Sequence, residues 1–165
     1  MRRLVLTALA IVLVVSSLPA QSPRSSHPMK MEGLKSAASI SRDIYGIAHI
    51  RANQDRDMYF LNGYVHAQDR LFQMDVSRRQ AAGRLAELFG PAALPGDVEF
   101  RTLGLQRAAV ASLDGYSPMV RRALTAYAAG VNAYVRDNPL PPEYGLLEIS
   151  EFEPWTELDS VAVTK

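Results

Sequence analysis

The fold of this chain is decided by residues 54–80, which read QDRDMYFLNGYVHAQDRLFQMDVSRRQ. Apolar side chains recur there at steps of three and four, and neither a proline nor a pair of glycines interrupts them. This spacing is typical of one face of an α-helix, so we predict a long helix over 54–80. The predicted buried stripe consists of Met58, Leu61, Val65, Leu71 and Phe72.

Two short strands are predicted upstream of this helix. Residues 38–52 contain several β-branched and aromatic side chains, which favour extended backbone. Asp43 and the pair Tyr45-Gly46 interrupt this stretch with residue types that are common in turns. We therefore expect two strands that are joined by a tight turn.

Further helices are predicted downstream. An apolar cluster over 85–89 ends at Gly90-Pro91, a pair in which glycine caps a helix and proline cannot continue it. A second long helix is expected to start at Ser117-Pro118, because the serine side chain accepts a hydrogen bond from a free amide of the first turn. Asn138-Pro139 ends that helix, and a stiff connector follows over 139–142.

The composition is that of a folded globular segment, and it excludes several classes of function. The chain has 165 residues, of which 48% are hydrophobic and 21% are charged. Its formal net charge of +1 provides no electrostatic footprint for nucleic acid, so we expect no nucleic-acid partner. The chain contains no cysteine, which excludes thiol nucleophiles, disulfides and cysteine-ligated zinc.

Residues 1–20 have the pattern of a secretory signal peptide. Arg2 and Arg3 precede an apolar stretch over 4–18, and Leu18-Pro19-Ala20 offers a small residue for cleavage. A membrane span needs about 20 apolar residues, and this stretch is shorter. We therefore expect a periplasmic or secreted protein with no membrane association after cleavage.

The mature chain is expected to have two regions. Residues 21–37 are rich in serine, proline and charge, which predicts a flexible N-terminus before a folded region over 38–165. Near the end of the sequence, residues 156–159 resemble a capping box that opens a helix, yet the sequence stops at Lys165. We expect the folded region to be part of a larger domain.

The candidate chemistry within the chain is sparse. His66 and Asp69 lie three residues apart on the predicted long helix, a spacing that suits a metal ligand pair or a general base. The same spacing fits a polar surface patch or a hydrogen-bond network, and no local motif supplies a nucleophile. His49, on a predicted strand, has the same two interpretations. With His27, these are the chain's three histidines, so an all-histidine metal site would need every one of them.

A serine hydrolase triad is the second chemical candidate. Such a triad would combine Ser39 or Ser41 with His49 or His66 and with Asp43 or Asp69, because triads are defined by geometry and not by order. The sequence has no Gly-x-Ser-x-Gly elbow and no glycine-rich phosphate loop to support this candidate.

Arginines and carboxylates alternate along the predicted helices. Their spacing permits ion pairs at three or four residues among Arg70, Arg78, Arg79, Arg84, Asp69, Asp75 and Glu87. Exposed pairs of this kind contribute only about 0–1 kcal/mol each. A guanidinium that is buried against a carboxylate would instead fix how the long helix packs, and we favour that structural role.

Several stretches together closely resemble the start of the penicillin acylase family of N-terminal-nucleophile hydrolases. The densest are 63–75 (GYVHAQDRLFQMD), 78–79 (RR) and 83–90 (GRLAELFG). The resemblance continues through 42–50 (RDIYGIAHI), 126–133 (AYAAGVNA), 140–144 (LPPEY) and 154–156 (PWT). It covers about 38–165, and the sequence departs from the family pattern where Ala48 replaces the usual proline.

The resemblance implies an α+β fold of the N-terminal-nucleophile hydrolase type, an αββα sandwich in the complete enzyme, to which this segment contributes helices and two short N-terminal strands. It also implies an exported precursor that cuts itself into a small α chain and a large β chain. The new N-terminal serine of the β chain would attack an acyl amide, with its own amino group as the base. The implied partners are the β chain and a small-molecule acyl amide of the β-lactam, acyl-homoserine lactone or lipopeptide type.

No catalytic, cofactor-binding or metal-binding residue is carried over to this chain. The family's nucleophile lies in the β chain, and the acidic residue of the family's calcium site lies beyond residue 165. Calcium binding by a full-length enzyme therefore stays open. A different class of function also stays open, namely a stand-alone exported helical binding module or an inactive remnant.

Overall fold

The computed structural model describes residues 31–165, in which helices dominate and two strands form the N-terminal end. This confirms the predicted balance of helix and strand. The expected signal peptide and residues 21–30 lie outside the described residues. The elements in chain order are β1 (Ala38–Arg42), β2 (Ala48–Ala52), α1 (Asp55–Ala82), α2 (Ala86–Phe89), a 3-10 turn (Gly90–Ala93), α3 (Leu94–Leu103), α4 (Leu105–Leu113), α5 (Pro118–Asp137), α6 (Pro142–Leu146) and α7 (Glu157–Val163).

The two predicted strands form an antiparallel hairpin. Ala38 pairs with Ala52 at one end, and Arg42 pairs with Ala48 next to the turn. In the turn, the Asp43 carboxylate accepts backbone hydrogen bonds from Tyr45 and Ile47, both at 2.9 Å. Because an aspartate side chain can replace backbone partners in this way, the sequence signal of Asp43 and Gly46 located the turn correctly.

The long helix α1 confirms the first prediction, although its buried stripe is shifted. Leu61, Val65 and Leu71 are buried as expected, but Met58 is exposed and Phe72 is only half-buried. The stripe was misplaced because four charged side chains of α1 are buried, and a pattern of apolar residues does not register them. Those side chains are Asp57, Asp75, Arg78 and Arg79.

Close approach of two glycines sets the packing of α1 against α5. A Cβ atom built on Gly63 would lie 2.1 Å from the Tyr127 carbonyl oxygen, and one on Gly130 would lie 1.8 Å from the Phe60 carbonyl oxygen. These distances are far below van der Waals contact, so only glycine permits this crossing. Val131 and Ala133 on α5 are buried beside it.

The N-terminal segment that precedes the hairpin contacts the start of α1. The Asp57 carboxylate accepts hydrogen bonds from the Lys35 and Ser36 amides at 3.0 and 2.8 Å, and from the Ser36 hydroxyl at 2.8 Å. Met31 and Leu34 pack beside Phe60 in one of the hydrophobic clusters. Residues 31–37, the described part of the segment that we expected to be flexible, are therefore attached to α1.

Helices α3 and α4 were not predicted from the sequence. Helix α2 ends at Gly90 as expected, but the chain then continues through the 3-10 turn directly into α3. Asp97 of α3 is buried and accepts hydrogen bonds from the Leu85 and Ala86 amides at 2.7 and 2.9 Å. An aspartate from a later helix thus binds the free amides at the start of α2, a contact that local spacing cannot reveal.

The C-terminal elements complete the core. The predicted capping box is present, since the Thr156 hydroxyl and the Asp159 carboxylate each bind the other's backbone amide. Val161 and Ala162 of α7 pack with Ala81 and Ala109 in a hydrophobic cluster. Within residues 31–165, no helix is both long enough and apolar enough to cross a membrane.

Candidate functional site

A groove of about 600 Å³ runs between α1, α5 and α7, and we call it the α1–α5 groove. Its apolar lining includes Met74 of α1 and Val163 of α7, and α5 contributes most of one wall. The α5 residues in that wall are Met119, Val120, Ala123, Leu124 and Tyr127. A mainly apolar cavity of this size with a few polar side chains is typical of a binding site.

A buried cluster of charged groups lies on α1 beside this groove. The Asp75 carboxylate is fully buried and accepts hydrogen bonds from Arg78 Nε at 2.7 Å and from Arg79 Nε at 3.1 Å. The Tyr144 hydroxyl of α6 donates to the other Asp75 oxygen at 3.0 Å. Two cations and a hydroxyl therefore satisfy one buried carboxylate, and we call these four residues the Asp75 cluster.

The Asp75 cluster joins α1 to the C-terminal part of the chain. Arg78 donates to the Pro154 carbonyl oxygen at 3.4 Å, and its guanidinium lies 4.5 Å from the centre of the Phe152 ring. Burial, followed by the negative charge of Asp75, raises the pKa of Tyr144 well above its usual range. The Tyr144 hydroxyl thus stays protonated and remains a hydrogen-bond donor at any physiological pH.

His66 and Asp69 do not form a common site. His66 is exposed, and its Nδ1 atom lies 2.8 Å from the Tyr127 hydroxyl. Asp69 instead binds the Arg42 guanidinium of β1, with a shortest distance of 2.6 Å. Burial raises the pKa of Tyr127 to about 12, so its hydroxyl is a donor and not a phenolate. The structure therefore favours the surface-patch interpretation of this pair.

The residues of the hypothetical triad come partly together at the hairpin. Ser41 pairs with His49 across the two strands, and His49 Nε2 lies 3.3 Å from an Asp43 carboxylate oxygen. More than half of the His49 side chain is exposed, and no hydrogen bond joins it to Ser41 in the described part of the chain. Ser39 pairs with Arg51 instead. An exposed pair without a bound nucleophile has the features of a turn contact, not of a triad.

The predicted ion pairs divide into buried and exposed ones. Arg78 and Arg79 pair with the buried Asp75, which confirms the structural role that we favoured for a buried guanidinium. Arg84 lies on the surface and binds Glu87 at 2.7 Å and Glu153 at 3.0 Å. Hydrogen bonding from Arg84 lowers the pKa of Glu87 below its ordinary value, despite an opposing effect of burial.

Arg70 differs from the other arginines of α1. Its guanidinium donates only to the Gln73 side chain, at 3.3 Å, and no carboxylate of residues 31–165 lies within ion-pair distance. Its backbone is non-helical, with φ −149° and ψ 28°, so α1 is kinked at this residue. Arg70 lines the α1–α5 groove. The ion pair that the spacing of Arg70 permits is therefore not formed within residues 31–165.

Sequence reasoning assigned no role to three polar residues that shape the site, namely Asn132, Ser160 and Tyr144. Asn132 exchanges two hydrogen bonds with the Trp155 backbone, at 2.8 and 2.9 Å, and Trp155 Nε1 donates to the Ser160 hydroxyl at 2.8 Å. Tyr144 is likewise revealed only by its contact with Asp75. Within 31–165, no group of three or more histidine, aspartate or glutamate side chains is arranged to bind a metal ion.

Comparison with known proteins identifies the family of this segment. The sequence profile of the penicillin amidase family matches residues 37–165. The chain belongs to the penicillin amidase family. Penicillin acylase 2 proenzyme of Pseudomonas sp. (strain SE83) is 41% identical over 150 residues, which is 90% of this chain and 19% of that protein. Penicillin G acylase of Escherichia coli is 35% identical over 142 residues, 86% of this chain and 16% of that protein.

Acyl-homoserine lactone acylase QuiP of Pseudomonas aeruginosa is 42% identical over 113 residues, which is 68% of this chain and 13% of that protein. Among solved structures, the thermostable penicillin G acylase of Alcaligenes faecalis matches with a TM-score of 0.65 and 36% identity. That match covers 77% of this chain and 69% of the other. The chain thus spans between about an eighth and a fifth of the length of these curated relatives.

In this member of the penicillin amidase family, four of the stretches that carry the resemblance meet in space. Segments 63–75 and 78–79 supply Asp75 and the two arginines of the Asp75 cluster, and segment 140–144 supplies Tyr144. Segment 154–156 supplies the carbonyl that Arg78 contacts and the Trp155 ring 5.5 Å from its guanidinium. Residues from these four stretches therefore pack together around Asp75 and Arg78.

Proposed function

We propose that this chain is the N-terminal α-chain part of an exported amidohydrolase of the penicillin acylase type. The full-length protein would hydrolyse the amide bond between an acyl side chain and an amine. The observation that carries this proposal is the agreement of fold and sequence with penicillin G acylase, at a TM-score of 0.65 and 36% identity over 77% of the chain. The acylase names of the curated relatives support the same reaction class.

The proposed chemistry takes place on a partner chain. An N-terminal serine of a β chain attacks the amide carbonyl, and its own amino group takes the hydroxyl proton. Backbone or side-chain donors of that chain stabilise the tetrahedral intermediate. The amino group passes its proton to the nitrogen of the amine, the C–N bond breaks, and water then hydrolyses the acyl-enzyme. The present segment packs around that chain and surrounds part of it. Hydrolysis of the acyl-enzyme returns the free serine and releases a carboxylic acid.

The proposed location is the periplasm or the extracellular medium. The support for it comes from the sequence of residues 1–20, with two arginines before an apolar stretch and a small residue for cleavage.

The test is hydrolysis of acyl amides by the complete gene product. The full-length protein is expressed with its leader, purified from the periplasm, and assayed with phenylacetyl, β-lactam and long-chain acyl-homoserine lactone substrates. We expect release of the amine from at least one class, and no release by residues 1–165 alone. Turnover by the 1–165 chain alone would contradict the assignment of chemistry to a β chain. A processed full-length protein that cleaves none of these amides would contradict the proposed reaction.

A further inference from the structure

Residues 31–36 lie against the start of α1, and we call them the N-terminal strap. The Asp57 carboxylate of α1 holds the last two residues of the strap. Its Oδ1 atom accepts a hydrogen bond from the Lys35 amide at 3.0 Å, and its Oδ2 atom accepts from the Ser36 amide and hydroxyl, both at 2.8 Å. Because Asp57 is fully buried, water competes little for these hydrogen bonds. The peptide bond that joins Lys35 to Ser36 is therefore held in one conformation.

The first half of the strap is attached as well. Arg56 Nη1 donates to the Gly33 carbonyl oxygen at 2.6 Å. Gly33 lies directly against the Phe60 ring, where an added Cβ atom would be 2.7 Å from the ring carbon Cε2. Met31 and Leu34 pack on the buried hydrophobic cluster that Phe60 forms with other residues of α1 and with α5. The strap thus covers one end of the contact between these two helices.

The attachment begins at Met31, immediately after a stretch of very different composition. Residues 21–30 read QSPRSSHPMK, and the sequence predicts a flexible tail there. A protease has to hold several residues of its substrate in an extended conformation. It therefore cuts a flexible chain readily and cuts an attached chain only after local unfolding. The tail and the strap should differ sharply in their resistance to proteolysis.

We propose that the N-terminal strap is the limit of N-terminal processing, so that trimming of the exported chain stops at or before Met31 and the mature protein keeps residues 31–36. This inference rests on the proposed export, because trimming follows removal of the leader. Trimming into the strap would remove Met31 and Leu34 from the hydrophobic cluster and would take three hydrogen-bond donors from Asp57. The product would be less stable than the chain that keeps the strap.

Two lysines allow a direct test of this boundary. Lys30 is the last residue before the strap, and Lys35 is within the strap and exposed. A lysine-specific protease adds water across the peptide bond that follows a lysine. Because the Lys35 side chain is accessible to such a protease, resistance of the Lys35–Ser36 bond would report the attachment of the backbone and not burial of the lysine.

The first experiment uses the full-length protein, purified after export. Intact mass gives the natural N-terminus, and we expect the first residue to lie within 21–31. Limited digestion with a lysine-specific protease follows. We expect the Lys35–Ser36 bond to be cut about tenfold more slowly than the Lys30–Met31 bond, or slower still. A natural N-terminus within 32–37, or equal rates at the two bonds, would overturn the proposal.

The second experiment loosens the strap. Asp57→Asn changes the acceptor of both amides, and Asp55→Asn is the matched control, because Asp55 is exposed in the same first turn of α1. We expect cleavage after Lys35 to accelerate about tenfold or more in Asp57→Asn and to be unchanged in the control. Equal rates in wild type and both variants would overturn the proposal.

A milder variant covers the case in which Asp57→Asn does not fold. Ser36→Ala removes the hydroxyl donor and leaves both amide hydrogen bonds in place. We expect it to accelerate cleavage after Lys35 about threefold without a change in the melting temperature of the full-length protein. If Asp57→Asn does not fold, an unaccelerated Ser36→Ala overturns the proposal by itself.

The proposed function and the proposed processing limit fail separately. A processed protein that hydrolyses acyl amides but is cut rapidly after Lys35 would overturn only the processing limit. A protein whose Lys35–Ser36 bond is resistant but that hydrolyses no acyl amide would overturn only the proposed reaction.

Discussion

The Tyr144 hydroxyl donates a 3.0 Å hydrogen bond to the Asp75 carboxylate across 69 residues of sequence. Asp75 is on α1 and Tyr144 is on the short helix α6, and both are almost completely buried. The same carboxylate binds Arg78 and Arg79, so a single acidic group connects the long helix to the C-terminal third of the segment. This contact is the best place to test the packing that we describe.

Asp75→Asn should destabilise the segment strongly. The variant removes the buried carboxylate that Arg78 and Arg79 share and leaves them only their outer partners, Asp159 and Glu87. Breaking a buried pair typically costs about 3–5 kcal/mol. We expect a loss of amide protection in α1 and α6, measured by hydrogen exchange and mass spectrometry. Asp69→Asn is the matched control, because its exposed pair with Arg42 should contribute only about 0–1 kcal/mol. Equal effects of the two variants would contradict the account.

Tyr144→Phe tests the long-range hydrogen bond by itself. The ring and its edge-to-face contact with Phe72, at 5.4 Å between centroids, are retained, while Asp75 loses one donor. We expect a loss of about 1–3 kcal/mol in the free energy of unfolding. The control is Tyr45→Phe, since Tyr45 is 82% exposed in the hairpin turn and should show no change. An unchanged stability of Tyr144→Phe would show that the hydroxyl is not needed.

Gly130→Ala should disrupt the crossing of α1 and α5. The added methyl group would collide with the Phe60 carbonyl, which belongs to the backbone of α1 and cannot rotate away. Overpacking of this kind costs typically about 1–3 kcal/mol, and a backbone clash belongs at the upper end. Gly145→Ala in α6 is the control, because nothing lies within 4 Å of its Cβ position. The melting temperatures of the two variants give the comparison, and a tolerated Gly130→Ala would contradict the described crossing.

The contact between residues 35–36 and α1 should weaken at acid pH. Burial opposes ionisation of Asp57, but hydrogen bonds from the Lys35 and Ser36 amides and the Ser36 hydroxyl hold its pKa below the ordinary value. The folded state therefore binds the proton of the Asp57 carboxyl group less tightly than the unfolded chain does. The stabilising contribution of the Asp57 carboxylate is complete above the pKa of the unfolded chain, about 3.9. It is lost as pH falls through the lower pKa of the folded state.

The variant Asp57→Asn tests the direction of this pH dependence. Hydrogen exchange of residues 35–36 should rise below about pH 4 in the wild-type protein, beyond the intrinsic pH effect. In the variant, these amides should be poorly protected at every pH, with no additional acid step. A wild-type segment that gains protection as the pH falls would contradict the direction of the pKa shift.

The pair His66 and Asp69 should not contribute to catalysis. His66 is close to Tyr127, Asp69 binds Arg42, and the two are not joined to each other or to a nucleophile in the described structure. In the full-length enzyme, the double variant His66→Ala, Asp69→Ala should retain kcat within a few-fold of wild type. Loss of activity with an intact fold would restore the interpretation that His66 and Asp69 act as a metal ligand pair or a general base.

The sequence alone was sufficient to predict elements that are determined by neighbouring residues. The periodicity of α1, the Ser117-Pro118 start of α5, the Asp43 turn and the Thr156–Asp159 capping box all depend on residues close together in sequence, and all are present in the structure. Contacts between distant segments were not accessible in this way. The Asp97 contact with the start of α2 and the Tyr144 contact with Asp75 join separate helices, and no local pattern indicates them.

The candidate site was predictable only in part for a related physical reason. Spacing alone suggested that Asp75 could bind nearby arginines, and the structure confirms this for Arg78 and Arg79. Spacing could not distinguish Arg70, which shares the same helix. Its backbone is non-helical, and among the described residues its guanidinium donates only to Gln73. The apolar groove likewise arises from three helices whose packing the sequence does not reveal directly.

Intact-mass analysis of the complete protein from its natural source tests the central claim most directly. The protein is purified without denaturant, and its chains are then separated under denaturing conditions. We predict a chain that begins within residues 21–37 and extends past Lys165, together with a larger polypeptide that starts with serine. A single polypeptide that ends at Lys165 would contradict the assignment of this segment to a processed acylase.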